Sequence, residues 1–356
     1  MMTIRVGIIG ASFAREAYLP ALRTIDDTEL VAIASARLSS AQSAADQFGI
    51  PHVYDDWGRM IGEHAFDLVC IATPTVFHAP MTLAALNAGA HVLCEKPMAM
   101  NRDESAEMLE RAEVQNRLHI IGHELRFNPN RRKIKSLIDG GAIGDLRYLN
   151  IHNVSSTWGN RAWRRAGDWL LREEMGGGRL GASGSHIIDL LRFWLGDIGA
   201  VSGKVTTMAP ERFDKDSGAR WIATADDHFS FMAEMRNGAL CSVTVSFAGR
   251  YGSGNQTEIF GSEGAIMLAD SDEKLLVART GEDFQDMSLR DLNADRPGIG
   301  TGIWNVSFVA LMEELTAAIR EKRQLAWGAT FEDGYQCQIA LDALRQSSQE
   351  RRWVAL

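Results

Sequence analysis

Short apolar runs alternate with amphipathic stretches along the first third of the chain. Four of these runs have the β-branched and aliphatic composition of buried strands: Ile4–Ile9, Leu30–Ala34, Asp67–Ala72 and His91–Cys94. The stretches between them have helical character, and two of them stop at Gly49 and Gly89, as helices commonly do. Strands and helices that alternate at this spacing predict a parallel, doubly wound sheet.

The pattern changes after Asp227, where apolar and polar residues alternate with period two. Phe229 to Met235 and Cys241 to Phe247 are two such runs, and Asn237-Gly238 between them is a strong signal for a two-residue turn. A second hairpin is predicted around Gly261–Gly264. Helices are expected at the end of the chain. The pattern of the second half therefore predicts a domain of hairpins and helices.

Composition narrows the class of protein. The 356 residues are enough for about two domains, and 46% hydrophobic with 23% charged residues is ordinary for a soluble globular protein. A net charge of −9 without a basic run argues against nucleic acid, and no apolar run has the length of a membrane span. The four cysteines form no CxxC pair, which argues against zinc and against a disulfide framework, and Cys70 and Cys94 are expected to be buried. No metal site is expected. Strand pattern begins at once, without a signal peptide, so we expect a cytoplasmic protein.

The first strand runs into a glycine turn and then a helix, the order that opens a dinucleotide-binding unit. Gly10 stands at the first glycine of the fingerprint, but Ser12 and Arg15 replace the other two glycines. We expect cofactor contacts at Gly10, Ser12, Phe13 and Ala14.

The end of the second strand indicates which cofactor binds. An acidic residue there would bind the ribose 2′-hydroxyl of NAD, but this chain has Ser35 and then Arg37. An arginine fork suits a 2′-phosphate, so NADP is preferred over NAD. The alternative is a solvated arginine at a strand end.

Polar residues follow the next two strands, at the edge of the sheet where ligands bind. Thr73-Pro74 follows the third run and Glu95-Lys96-Pro97 follows the fourth. Lys96 is expected to direct its amine into a cleft, with Thr73, Pro74 and Glu95 near the cofactor. His78 is a further cofactor candidate, although a capping or packing histidine fits that position equally well.

These motifs resemble the glucose-fructose oxidoreductase / inositol dehydrogenase / MocA (Gfo/Idh/MocA) family. The resemblance rests on three segments, Val6–Gly10, Ile71–Pro74 with His78, and Ala88–Pro97, and it continues to the C-terminus. It implies a Rossmann domain, placed at 1–124, and an α/β domain with an open, mostly antiparallel sheet, placed at 125–356. It also implies a nicotinamide cofactor, a sugar, cyclitol or other polyol as substrate, and a homodimer or homotetramer formed through the open face of the sheet.

The resemblance places the family's catalytic histidine at His186, with Asp189 on the same helix face. The family commonly has an aspartate four residues earlier, where this chain has Ala182. Arg126 is a substrate candidate, with an interdomain salt bridge as the equal alternative. Trp163 lies in a stretch of tryptophans and arginines that suits stacking on a sugar or nicotinamide. Such a stretch could also bind single-stranded nucleic acid, but the net negative charge of the chain argues against that.

Two functions follow from these residues. The first is an NAD(P)-dependent oxidoreductase in which His186 is the general base and Lys96 stabilises charge on the substrate oxygen. The second is a ligand sensor that keeps the nucleotide site without turnover, which the altered glycines and Ala182 favour.

Overall fold

The computed structural model describes residues 3–155, 164–252, 254–269 and 274–356. The chain forms two compact units, Met1–Asn128 with Asp291–Gln336, and Pro129–Arg290 with Cys337–Leu356. In the part that the structure describes, no helix is both long and apolar enough to cross a bilayer.

The first unit contains a parallel sheet in which the described strands follow the order β3-β2-β1-β4-β5-β6. This order is that of dinucleotide-binding domains, so the predicted doubly wound sheet is confirmed. Its strands are β1 (Ile4–Ile9), β2 (Thr28–Ala34), β3 (His52–Tyr54), β4 (Leu68–Ile71), β5 (His91–Cys94) and β6 (His119–Ile121). The strand β3 was missing from the sequence-based prediction.

Helices cover both faces of this sheet. They are α1 (Ser12–Glu16), α2 (Tyr18–Leu22), α3 (Leu38–Phe48), α4 (Trp57–Glu63), α5 (His78–Asn87), α6 (Arg102–Val114) and α9 (Ile303–Glu321). Short 3-10 helices lie at Thr75–Phe77, Glu124–Phe127 and Leu292–Asp295. Ile4, Val6 and Ile8 point to one face and Ile9 to the other, which gives two hydrophobic cores.

The first unit is built from two separate parts of the chain. The predicted domains, 1–124 and 125–356, are contiguous, whereas the structure gives residues 291–336 to the first unit. The reason is burial: Phe308, Met312 and Leu315 of α9 lie in the same core as Ile8 and Tyr18. The helix therefore completes one face of the parallel sheet.

The second unit contains a mixed sheet whose described strands follow the order β16-β15-β14-β13-β7-β12-β11-β8-β17. Among the described strands, only β7 and β12 are paired in parallel, so the sheet is mostly antiparallel, as predicted. Its strands are β7 (Leu146–Val154), β8 (Ile198–Thr206), β11 (His228–Met235), β12 (Leu240–Ser246), β13 (Gly254–Gly261), β14 (Gly264–Ala269), β15 (Lys274–Arg279), β16 (Gln285–Asp286) and β17 (Val354–Ala355). A separate small hairpin pairs β9 (Glu211–Phe213) with β10 (Arg220–Ile222).

The helices of this unit include α7 (Pro129–Asp139) and α8 (Ser185–Leu195), and α10 (Phe331–Glu350) from Cys337 onward. The 3-10 helices Trp169–Leu171 and Glu173–Met175 and the π-helix Leu180–Gly184 precede α8. Ser347 and Ser348 of α10 accept hydrogen bonds from the backbone of β8, which fixes the helix on the sheet. One face of β11 is buried, as its alternation predicts.

Candidate active site

The turn after β1 has a conformation that suits only glycine. Gly10 has φ +101°, and a Cβ there would lie 2.2 Å from the carbonyl oxygen of Ala72. The turn is thus packed directly against the chain that leaves β4. Ser12 is exposed beside it.

Two residues that were expected to contact the cofactor contribute their side chains to packing. Ala14 is fully buried in the core. The ring of Phe13 stacks on Trp304 at 5.8 Å and meets Tyr18 and Phe308 edge-on. Trp304 belongs to α9, far from Phe13 along the chain, so no local pattern could connect them.

The end of β2 presents the two residues that were predicted to select the cofactor. Ser35 is partly buried, and its backbone N–H donates to the carbonyl of Tyr54. Arg37 is exposed and precedes the first residue of α3. Both positions are therefore open to a ligand at this edge of the sheet.

The loops after β4 and β5 are joined by a buried histidine. The Nδ1 of His78 lies 2.9 Å from the carbonyl of Pro97, and its Nε2 lies 2.9 Å from the carbonyl of Thr73. Burial lowers the pKa of His78, while the two carbonyls act in the opposite direction. These contacts support the packing alternative over a direct cofactor contact, because both ring nitrogens face the protein.

Glu95 and Lys96 form a pair at the carboxyl end of β5. The two Glu95 oxygens have different partners: Oε1 accepts from the hydroxyl of Tyr18 at 2.7 Å, and Oε2 accepts from the Lys96 backbone N–H at 3.2 Å. The Nζ of Lys96 is 3.7 Å from Oε2, an ion pair rather than a hydrogen bond. The Lys96–Pro97 peptide is cis. Glu95 is thus a buried partner of Lys96, and its contact with Tyr18 was not predicted from the sequence.

Burial controls the chemistry of Glu95. It raises the pKa of the carboxyl group, whereas the Lys96 ammonium and the Tyr18 hydroxyl favour the ionised form. Burial also raises the pKa of Tyr18, with the Glu95 charge second, so the phenol remains a donor at neutral pH. Cys94 lies beside this pair, and burial raises the pKa of its thiol as well.

Arg126 pairs with Asp333 inside the first unit. Its two terminal nitrogens lie 3.3 and 3.1 Å from the carboxylate oxygens, and its side chain is buried. This geometry favours the salt-bridge alternative over a substrate contact. The bridge is not interdomain, because both residues belong to the same compact unit.

The second unit holds the predicted catalytic histidine. His186 is the second residue of α8, and its side chain is partly exposed. Asp189 is buried one helical turn later, so the predicted shared helix face is confirmed. Ala182 lies in the π-helix Leu180–Gly184, a distortion that is frequent at functional sites. Trp163 lies outside the described residues.

Within the ranges that the structure describes, no three His, Cys, Asp or Glu side chains are grouped to hold a metal ion. A nicotinamide cofactor fits better, because the glycine turn and the Glu95–Lys96 pair lie at the same edge of a sheet with the dinucleotide-binding order.

Two family models match the chain. The model described as "Oxidoreductase family, NAD-binding Rossmann fold" matches residues 4–123, and the GFO/IDH/MocA C-terminal domain matches residues 131–267. The first covers the strands of the parallel sheet, and the second covers the mixed sheet from β7 into β14.

Individual relatives agree with these models. Levoglucosan dehydrogenase of Pseudarthrobacter phenanthrenivorans is 28% identical over 386 residues, covering 99% of this chain and 98% of that protein. D-glucoside 3-dehydrogenase of Escherichia coli is 30% identical over 251 residues, covering 69% and 70%. A solved complex of levoglucosan dehydrogenase with NADH and levoglucosan superposes with a TM-score of 0.89 at 26% identity, covering 100% of this chain and 99% of that one. The chain belongs to the Gfo/Idh/MocA family of oxidoreductases.

Proposed function

We propose that this protein is an NAD(P)-dependent dehydrogenase that interconverts a secondary alcohol and a ketone on a sugar, cyclitol or related polyol. The observation that carries the proposal is the Glu95–Lys96 ion pair at the carboxyl end of β5 in a Rossmann sheet. The relatives named for levoglucosan and D-glucoside dehydrogenation support sugars as the substrate class.

The proposed roles follow from the chemistry of each side chain. The bound nicotinamide supplies a hydride acceptor or donor. Lys96 would donate a hydrogen bond to the substrate oxygen and stabilise the negative charge that develops on it. His186 would take the hydroxyl proton during oxidation and return it during reduction, because imidazole titrates near neutrality. Asp189 would orient the ring of His186.

A panel of sugars tests the function directly. Levoglucosan, alkyl glucosides, free aldoses and inositols would be incubated with NAD⁺ or NADP⁺, and the absorbance of the reduced nicotinamide followed. Turnover of at least one sugar is expected. A ligand sensor is the second candidate, favoured by Ala182 in place of the aspartate. Cofactor binding by calorimetry without turnover across the panel would select the sensor.

We further expect NADP(H) to bind more tightly than NAD(H). Arg37 is exposed after β2, and Ser35 places no carboxylate where a 2′-phosphate would lie. Replacing Arg37 with alanine should weaken NADP(H) about 10-fold or more, the scale of a hydrogen bond between charged groups, and leave NAD(H) unchanged. Fluorescence titration of both cofactors measures this. Arg59→Ala, which removes another exposed arginine from α4, is the control. Tighter binding of NAD(H) by the native chain would disprove the preference.

The open face of the second unit's sheet is proposed to bind a second copy of the chain. Leu240, Tyr148 and Phe260 are neighbours across β12, β7 and β13, and Leu240 is 41% exposed. An apolar row on a partly exposed face favours a homodimer or homotetramer.

Light scattering should give at least twice the monomer mass at micromolar concentration. Leu240→Asp should shift the protein toward monomer, because a charge would be buried in the interface. Val114→Asp is the matched control, since Val114 is 72% exposed at the end of α6. A monomer mass for the native chain would contradict the proposal.

A further inference from the structure

A fully buried phenol contacts the carboxylate that faces Lys96. Tyr18 has no exposed surface, and its hydroxyl donates to Glu95 Oε1 over 2.7 Å. The other Glu95 oxygen faces both the backbone N–H and the ammonium of Lys96. A single carboxylate therefore connects Tyr18 with Lys96.

Buried neighbours on both sides restrict the orientation of the Glu95 carboxylate. The ring of Tyr18 is held edge-on by Phe308 at 5.0 Å and by Phe13 at 5.7 Å, so the direction of its hydroxyl is fixed. On the other side, a Cβ at Gly122 would lie 2.7 Å from Glu95 Oε1. A side chain at position 122 would displace the carboxylate, and glycine leaves it room. The orientation of Glu95 toward Lys96 is thus set by its buried neighbours.

The hydrogen bond also matters for charge. A carboxylate that is removed from water loses stability relative to its neutral form, and each hydrogen bond that it accepts offsets part of that loss. In this structure the Tyr18 hydroxyl is the donor to Oε1. Loss of this hydrogen bond would raise the pKa of Glu95 further, because burial would be less opposed. As the pH falls, the carboxylate that pairs with Lys96 would then be protonated at a higher pH.

We propose that Tyr18 is a positioning residue of the active site, which acts through Glu95 to hold Lys96 in place and to keep its counter-charge. Tyr18 does not touch the substrate. The inference rests on the role of Lys96 under the proposed function, and it deepens that function by assigning a task to a residue of the buried core.

Tyr18→Phe tests the proposal with little disturbance, because the ring and its aromatic contacts remain. We expect kcat to fall about 10-fold or more, the scale of a hydrogen bond to a charged group, with little change in KM for the sugar. Activity should be lost on the acid side at a higher pH than in the wild type, because Glu95 is protonated more easily. Tyr54→Phe is the matched control, since it also removes a tyrosine–glutamate hydrogen bond, to Glu63 at 2.9 Å. The control should keep the wild-type kcat and pH profile.

A double variant separates positioning from a loss of packing. Glu95→Gln removes the charge through which Tyr18 is proposed to act. Adding Tyr18→Phe to Glu95→Gln should then cost much less than it costs in the wild type. An equal loss in both backgrounds, or a wild-type kcat and pH profile in Tyr18→Phe alone, would overturn the proposal.

The third measurement needs neither cofactor nor turnover. Lys96 is labelled with an amine-reactive acetylating reagent, and the modified peptide is quantified by mass spectrometry over a range of pH. The Lys96 amine is paired with the Glu95 carboxylate, which shields it from the reagent. Tyr18→Phe loosens that pair and should speed labelling of Lys96, and Tyr54→Phe should not. Equal labelling in Tyr18→Phe and wild type would overturn the proposal. Faster labelling in a protein that turns over no sugar would remove the dehydrogenase function and keep the positioning role.

Discussion

Replacing Lys96 with alanine is expected to lower kcat by about 10²-fold or more, the scale of a positioned acid–base group. The ammonium lies at the end of β5, paired with a buried carboxylate, and would be the donor to the substrate oxygen. Replacing His186 with alanine should cause similar damage, while cofactor affinity changes far less than kcat. The measurement is steady-state turnover of the sugar identified in the panel, together with cofactor titration.

The two losses should not multiply. Residues that act as one unit are non-additive, so Lys96→Ala with His186→Ala should cost much less than the product of the single losses. Lys135→Ala is the control, because this lysine forms a surface pair with Asp139 within α7. Ala182→Asp should leave kcat unchanged or lower it. A large gain in kcat for Ala182→Asp would favour the ligand-sensor hypothesis. Full turnover in His186→Ala would exclude that histidine as the base.

Gly10→Ala should remove cofactor binding and destabilise the fold. A methyl group would lie 2.2 Å from the Ala72 carbonyl at a φ of +101°, so the turn must move away from β4. We expect the free energy of unfolding to fall by about 3 kcal/mol or more, and the affinity for NADH to fall with it. Urea unfolding and NADH fluorescence measure the two effects.

Gly49→Ala distinguishes the clash from the loss of backbone freedom. Gly49 also has a positive φ, +71°, but a Cβ there would have open space. This change should cost only about 1 kcal/mol and leave cofactor binding intact. If Gly10→Ala were as mild as Gly49→Ala, the turn would be more adaptable than its packing indicates.

Local patterns predicted the parts of the fold that depend on neighbours in sequence. The β11–β12 hairpin follows from period-two alternation on either side of Asn237-Gly238, and its register is regular. Strand β1 and the glycine turn after it were predicted equally well from the local sequence. The strand β3 was missed because it has three residues and none is fully buried, so it lacks an apolar run.

Contacts between distant residues could not be predicted in this way. Arg126 meets Asp333 across 207 positions, and Tyr18 meets Glu95 across 77. Glu95 and Lys96 were found because their position after a strand marks the ligand-binding edge of the sheet. Tyr18 carries no such mark, since a tyrosine between Ala17 and Leu19 looks like any helix residue. Which hydroxyl reaches a carboxylate is decided by tertiary packing.

The first unit takes its α9 from residues that follow most of the second unit in the chain. During synthesis, the apolar face that receives Phe308 and Met312 must wait until that helix leaves the ribosome. Until then the nascent Rossmann sheet has one incompletely covered face, which is a surface for chaperones or for aggregation. A fragment that ends after Asn128 would carry the same exposed face permanently. The nucleotide-binding half of this protein is consequently not a module that can be cut out at its first boundary.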